Sequence, residues 1–240
     1  MKVSIIIPVY NAEKYITTAV ESAIAQEQTG EVLLIVDGSP DKSLDICRSL
    51  EKKYKIVRVF THNGFKNRGA AASRNLGIMN ATFQYVTFLD ADDYYLPNRF
   101  EMTEKIFQLD SKAEGIYEAI GTTFESKVQQ KWWQVSGCPM LTSIHRDVTP
   151  DAVFERQKPI GTDGYCHLEG LTVRRKVFER TGLFDAELIL HQDTAFFIKL
   201  AACARLVAGQ VEVPVAMRRV HAQNRITEKR DNKETWNHRR

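Results

Sequence analysis

The stretch VSIIIPVYNAEKYITTAVESAI, residues Val3–Ile24, changes its period halfway along. Val3 to Val9 is an apolar, β-branched run broken only by Ser4 and Pro8, which reads as a strand buried on both faces. From Ile16 onward the apolar positions Ile16, Ala19, Val20, Ala23 and Ile24 recur at three and four residues, the signature of one buried helical face. Asn11, with Glu13 soon after it, is the expected N-cap. A strand, a polar turn and an amphipathic helix in this order form the first half of a βαβ unit.

The rhythm repeats up to about residue 100. VLLIV, IVRVF and YVTFL are further strand-like runs, separated by segments with helical spacing. A second helix is expected from near SPDKS, capped by Ser39 or Asp41, to about Tyr54, and a third over GAAASRNLGIMNA. Alternation of this kind predicts an α/β fold: a mostly parallel central sheet with helices on both faces, three layers in all. Ligands bind such sheets beyond the carboxyl ends of the strands. Those ends carry PVYN, DGSPD, THNGFKNRG and DADD, all polar. The second half is less regular. Ile116 to Phe124 reads as a strand, KWWQVSGCPM as an aromatic loop, and GLTVRRKVFERTGLFD as a strand with a short helix. HQDTAFFIKLAACA reads as a helix, ARLVAGQVEVPVAMRRV as a strand, and 226–240 as a charged tail.

The bulk properties exclude more than they select. With 33 Lys+Arg against 30 Asp+Glu in 240 residues, the formal charge of +3 gives no electrostatic case for nucleic acid. The cysteines, Cys47, Cys138, Cys166 and Cys203, form no CxxC pair, so reduced thiols in the cytoplasm are expected, with neither a disulfide framework nor a zinc site. No apolar run approaches the ~20 residues of a transmembrane helix, which leaves a peripheral place at the inner membrane face open.

Three aspartates, Asp90, Asp92 and Asp93, crowd behind the fourth strand. They fit either a polar turn capping the helix that Pro97 begins, or a hard-cation site, since carboxylate oxygens suit Mg²⁺ or Mn²⁺ bound together with substrate phosphates.

Five segments, in order and at matching spacing, resemble the GT-A glycosyltransferases of family 2: VSIIIPVYNAEKYI, EVLLIVDGSPDKS, NRGAAASRNLGI, FLDADDYYLPNRF and GLTVRRKVFERTGLFDAELILHQDTAFFIKLA. The resemblance implies a Rossmann-like GT-A fold, with a nucleotide-sugar-binding half over 1–110 and an acceptor-binding half over 111–225. It implies an inverting transfer of a sugar from a nucleotide-sugar, a UDP-sugar first, to a hydroxyl of a polysaccharide or lipid-linked glycan. Asp92 would ligate the Mn²⁺ or Mg²⁺ on the diphosphate, Asp90 would lie beside the ribose or donor sugar, and Asp93 would act as a cap. Pro8 and Tyr10 would line the nucleoside pocket, Arg68 and Arg74 would meet phosphate or ribose, and the small side chains Gly69 to Ala72 would let their helix approach the nucleotide. Asp193 would be the general base and His221 would come back over the diphosphate. His191 is a second candidate for the base. Trp132 and Trp133 either stack on an acceptor sugar or pack in the core.

Two positions depart from the family pattern. Val36 stands where the family has the base-reading aspartate, so that either Asp37 substitutes for it or the base is recognised differently, and Gln192 stands where the family has the glutamate before the base. These departures keep a non-catalytic nucleotide-sugar-binding or partner-binding domain as the alternative. A nucleotidyltransferase would need a Gly-rich basic loop after the first strand, where this chain has PVYNAEKYI.

Overall fold

The computed structural model describes residues 1–144, 148–157 and 163–224, so the expected tail at 226–240 lies outside the described residues. In chain order the first half runs β1 (Val3–Val9), α1 (Ile16–Ile24), β2 (Thr29–Val36), α2 (Ser43–Lys53), β3 (Val57–Thr61), α3 (Gly69–Asn80), β4 (Tyr85–Phe88), β5 (Tyr94–Tyr95) and α4 (Glu101–Leu109). The second half runs β6 (Gly115–Tyr117), β7 (Ile120–Phe124), α5 (Lys127–Val135), β8 (Leu141–Thr142), β9 (Leu171–Arg174), α6 (Phe178–Thr181), α7 (Gln192–Cys203), β10 (Leu206–Ala208) and β11 (Ala216–Val220).

A seven-stranded sheet takes the order β10-β6-β9-β4-β1-β2-β3. Its pairings are parallel except where β9 lies antiparallel to β4 and β6. The two-residue side-chain period sorts β1 and β2 between two cores. Val3, Ile5, Ile7, Val32 and Leu34 pack with Ile16 and Val20 of α1 and Cys47 of α2, while Ile6, Leu33 and Ile35 pack with Ile78 of α3 and Phe196 and Leu200 of α7. Helices therefore cover both faces, the three-layer α/β/α arrangement that the alternation predicts. On the second face Gly77 sets the spacing: a Cβ there would meet Ile6 Cγ2 at 2.4 Å.

The second half departs from the sequence reading in three places. Ile116 to Phe124 is two strands, β6 in the large sheet and β7 in a second, four-stranded sheet of order β5-β11-β7-β8. The continuous strand expected over ARLVAGQVEVPVAMRRV is likewise divided into β10 and β11, one in each sheet. The chain changes sheets at Glu118, whose buried carboxylate meets Arg99 Nη1 at 2.9 Å with both side chains 0% exposed. Arg99 Nη2 also donates to Thr87 Oγ1, Thr172 Oγ1 and the Leu171 carbonyl, and Glu118 accepts from Thr103 Oγ1 and the Gln210 N–H. This pair joins the two sheets at their junction. Third, KWWQV is helical: α5 starts from Ser126, whose hydroxyl accepts the Val128 and Gln129 N–H groups.

Candidate active site

The β1–α1 turn is built without the expected cap. Asn11 takes a left-handed φ of 52° and its N–H donates to Ser39 Oγ at 2.7 Å, while α1 begins at Ile16 with no side-chain cap. The neighbouring β2–α2 turn holds it: the Ala12 N–H reaches Ser43 Oγ and the Glu13 N–H reaches Asp41 Oδ2. Burial works against ionisation of Asp41, yet donors from Ser39, Ser43 and the Glu13 N–H hold its carboxyl below the ordinary value. Pro8 is half-buried within β1, and Tyr10, 51% exposed, stands open at the strand end.

Asp37 follows β2 directly, buried, and its two oxygens accept the Arg68 N–H at 2.7 Å and the Gly69 N–H at 2.8 Å. Those donors belong to the start of α3, so Asp37 caps that helix from another loop. Gly38 makes the crossing feasible: with φ of 63°, a Cβ would come within 2.7 Å of Asn67 N. The carboxylate assigned to base reading thus braces the loop carrying the exposed Arg68, and Val36 beside it is fully buried.

The aspartates behind β4 part company. Asp90 Oδ1 accepts from Arg74 Nη2 at 2.7 Å, and Arg74 is itself buried over the Phe184 ring. Asp92 Oδ2 lies 3.0 Å from both His221 Nε2 and Asn224 Nδ2. Because the Gln223 N–H donates to His221 Nδ1, the ring proton sits on Nε2 and points at Asp92. The His221 ring stacks on Tyr15 at 4.8 Å. Burial, then a hydrogen bond to Glu125, pushes the Tyr15 phenol up to about 12, so it stays neutral. Asp93 does not cap a helix. It is buried, accepts the Arg219 N–H at 2.6 Å, and faces Glu169.

Glu169 carries no sequence signal, since it sits in HLEG ahead of β9 with no acidic neighbour. It is 1% exposed, and its ligand atoms with those of Asp90 and Asp93 all lie within 4.8 Å of one another. Burial, then the Asp90 charge, pushes the Glu169 carboxyl up to about 8, and burial with the Glu169 charge raises Asp93 as well. Oxygen-rich sets such as this one and Asp92 suit hard divalent cations.

Asp193 opens α7 from the second half, exposed, its Oδ1 accepting the Thr194 N–H. Burial, then the Arg218 charge, lowers the His167 pKa, and the negative charges of Asp90, Asp193 and Asp93 act on it in the opposite sense. His191 precedes it, exposed, with a left-handed φ of 60°. The tryptophans separate: Trp133 is 1% exposed, under Arg218 and against Phe124, so it packs internally, while Trp132 faces solvent.

Residues 4–166 match the family model described as Glycosyl transferase family 2. The chain is 43% identical over 100 residues to an uncharacterized glycosyltransferase of Haemophilus influenzae, an overlap covering 41% of this chain and 39% of that one. It is 35% identical over 137 residues to the minor teichoic acid biosynthesis protein GgaB of Bacillus subtilis, covering 54% and 15% respectively. It is 29% identical over 198 residues to the uncharacterized glycosyltransferase EpsJ of the same organism, covering 81% and 54%. The chain thus spans only 15 to 54% of the length of these relatives. Among solved structures, S. aureus TarS 1-349 in complex with UDP-GlcNAc superposes with a TM-score of 0.75 at 20% identity, covering 98% of this chain and 63% of that one. The mannosyltransferase PcManGT of Pyrobaculum calidifontis in complex with GDP-Man and Mn²⁺ gives 0.61 at 15% identity, covering 93% and 58%. With the family model spanning well over half of the sequence and the fold shared along nearly all of it, the chain belongs to glycosyl transferase family 2 and has the GT-A fold.

Proposed function

We propose that this chain transfers a sugar from a nucleotide-diphosphate donor to an acceptor hydroxyl with inversion at the anomeric carbon. The observation behind the reading is that Asp90 bonds Arg74 and Asp92 bonds His221 directly behind β4, while the charge of Asp193, in the first turn of α7, acts on the same His167 as that of Asp90. Donor complexes of TarS with UDP-GlcNAc and of PcManGT with GDP-Man support a nucleotide-sugar, and a UDP-sugar is the first to try.

In this reading Pro8 and Tyr10 border the nucleoside, while Arg68 and Arg74 bring cationic donors toward ribose and phosphate. Asp90, steered by Arg74, accepts from a ribose or sugar hydroxyl. Asp92 holds the divalent cation, Mn²⁺ or Mg²⁺, which when bound neutralises charge on the leaving diphosphate. His221 Nε2–H stands beside Asp92 as a donor to the same phosphate region. Asp193 takes the proton of the attacking hydroxyl as its oxygen forms a bond to the anomeric carbon, and the bond to the diphosphate breaks with the electron pair leaving on the diphosphate. Direct attack of that hydroxyl on the anomeric carbon, with no covalent sugar–protein intermediate, is a single displacement and gives inversion. The acceptor is a hydroxyl of a polysaccharide or lipid-linked glycan, met by residues of the second half.

Calorimetry with UDP, GDP and dTDP in the presence of Mn²⁺, followed by a donor-hydrolysis screen, tests this. Binding of one nucleotide, with turnover abolished by EDTA and by Asp92→Asn, is expected. Turnover indifferent to both removes the metal role, and no binding of any nucleotide removes the reading.

A further inference from the structure

Helix α5 is held to the protein by one side and offers the opposite side to solvent. Trp133 fixes it, 1% exposed, its Nε1 donating to the Pro139 carbonyl and its ring under the Arg218 guanidinium at 4.4 Å. Val128, Trp132 and Val135, spaced by four and three residues, form a stripe along one helical face and are 74%, 36% and 81% exposed. Met140, beyond the end of the helix, is also 48% exposed. Lys127 and Lys131, also exposed, run along the edge of the stripe, and no acidic residue occurs in the sequence between Glu125 and Asp147.

We infer that the Val128–Trp132–Val135 face of α5 docks this protein onto an anionic lipid bilayer, lying in the interface plane with Lys127 and Lys131 toward the headgroups. Aliphatic side chains and a tryptophan flanked by lysines, without intervening carboxylates, match both components of such a surface: an apolar boundary layer and negative charge. A second copy of the chain is a poorer occupant, because a stable dimer buries about 800 Å² per partner, more than the exposed side of this nine-residue helix offers. Nor does the helix cross the membrane, since nine residues span only about 14 Å of a ~30 Å core.

The position of the face has a consequence for the transfer proposed above, on which this step alone rests. Ser126 caps α5 directly after Glu125, whose carboxylate is hydrogen-bonded to Tyr15, and Tyr15 stacks on the His221 that faces Asp92. Docking along α5 sets the cation and diphosphate region beside the lipid surface, where the accepting hydroxyl of a membrane-borne glycan lies.

Vesicle flotation separates the docking from the catalysis, because it reads binding without turnover. The protein is expected to float with phosphatidylcholine vesicles containing about 30% phosphatidylglycerol and at least roughly tenfold less with phosphatidylcholine alone. Val128→Ser/Trp132→Ser/Val135→Ser is expected to lose at least roughly tenfold in binding, and Lys127→Gln/Lys131→Gln to lose the preference for anionic vesicles. Circular dichroism melts matching wild type establish that both variants are folded. Absence of binding to anionic vesicles, equal flotation of the folded serine variant, or a solution dimer that the serine substitutions convert to monomer would each overturn the inference.

Discussion

Replacing Arg99 by methionine keeps an unbranched apolar stem and removes the guanidinium and its charge at the junction of the two sheets. Glu118 would then lie 0% exposed with only the Thr103 hydroxyl and the Gln210 N–H for company, and Thr87, Thr172 and the Leu171 carbonyl would lose a shared donor. Stripping one partner from a buried ion pair costs about 3–5 kcal/mol. At about 2–4 °C per kcal/mol for a domain of this size, the melting temperature should fall by on the order of 10 °C. The double variant Arg99→Met/Glu118→Gln removes the orphaned charge and should cost clearly less than the two single variants summed. The loss also has a pH signature. Burial already raises Glu118 above its ordinary 4.5, and Arg99 opposes the rise. A carboxyl raised in the folded state contributes stability that is complete below the unfolded-state pKa and lost as pH rises through the folded-state value. Without Arg99 that folded-state value climbs further, so the deficit of Arg99→Met should widen from pH 5 to pH 8. Thermal melts by circular dichroism across that range are the assay. A single-variant cost below about 1 kcal/mol, or strict additivity in the double variant, would refute the junction argument.

Two further outcomes follow from the packing. Glu169, pushed up to about 8 by burial from an ordinary 4.5, contributes stability that is full below about 4.5 and lost as pH rises through 8; urea unfolding without divalent cation should show wild type weakening by on the order of a few kcal/mol across that window, and Glu169→Gln weakening less. Trp133→Ala should cost about 3–5 kcal/mol in unfolding free energy, whereas Trp132→Ala should stay within about 0.5 kcal/mol; equal costs would contradict the separation of the two rings.

Much of the first hundred or so residues declared its fold because β1 and β2 are apolar on both faces while α1 and α2 are apolar on one, so the period itself changes at those boundaries. Val3–Ile24 is the clearest case. The strand ends were legible for the same reason, since polar turns follow the buried runs. The second half hid its plan in non-local contacts. Ile116 to Phe124 reads as one strand, whereas the chain leaves one sheet for the other at Glu118, whose partner Arg99 is 19 positions away in the sequence. Gly137 and Pro139 gave KWWQVSGCPM the look of a loop, while the Ser126 cap and the single buried Trp133 made its front end a helix. Asp93 and Glu169 are partners 76 positions apart (169 − 93), a relation that no spacing rule reaches. Asp37, next to the position where the family has its base-reading aspartate, gives its oxygens to N–H groups at the start of α3.

The central claim, that Asp193 acts as base at an edge where a nucleotide-sugar binds, is tested most directly by measuring nucleotide affinity and donor turnover side by side for wild type and Asp193→Asn, with the nucleoside diphosphate that binds wild type. The account predicts a dissociation constant changed by no more than about threefold and turnover lower by at least ~10²-fold. Unchanged turnover, or loss of affinity and turnover together, would contradict it.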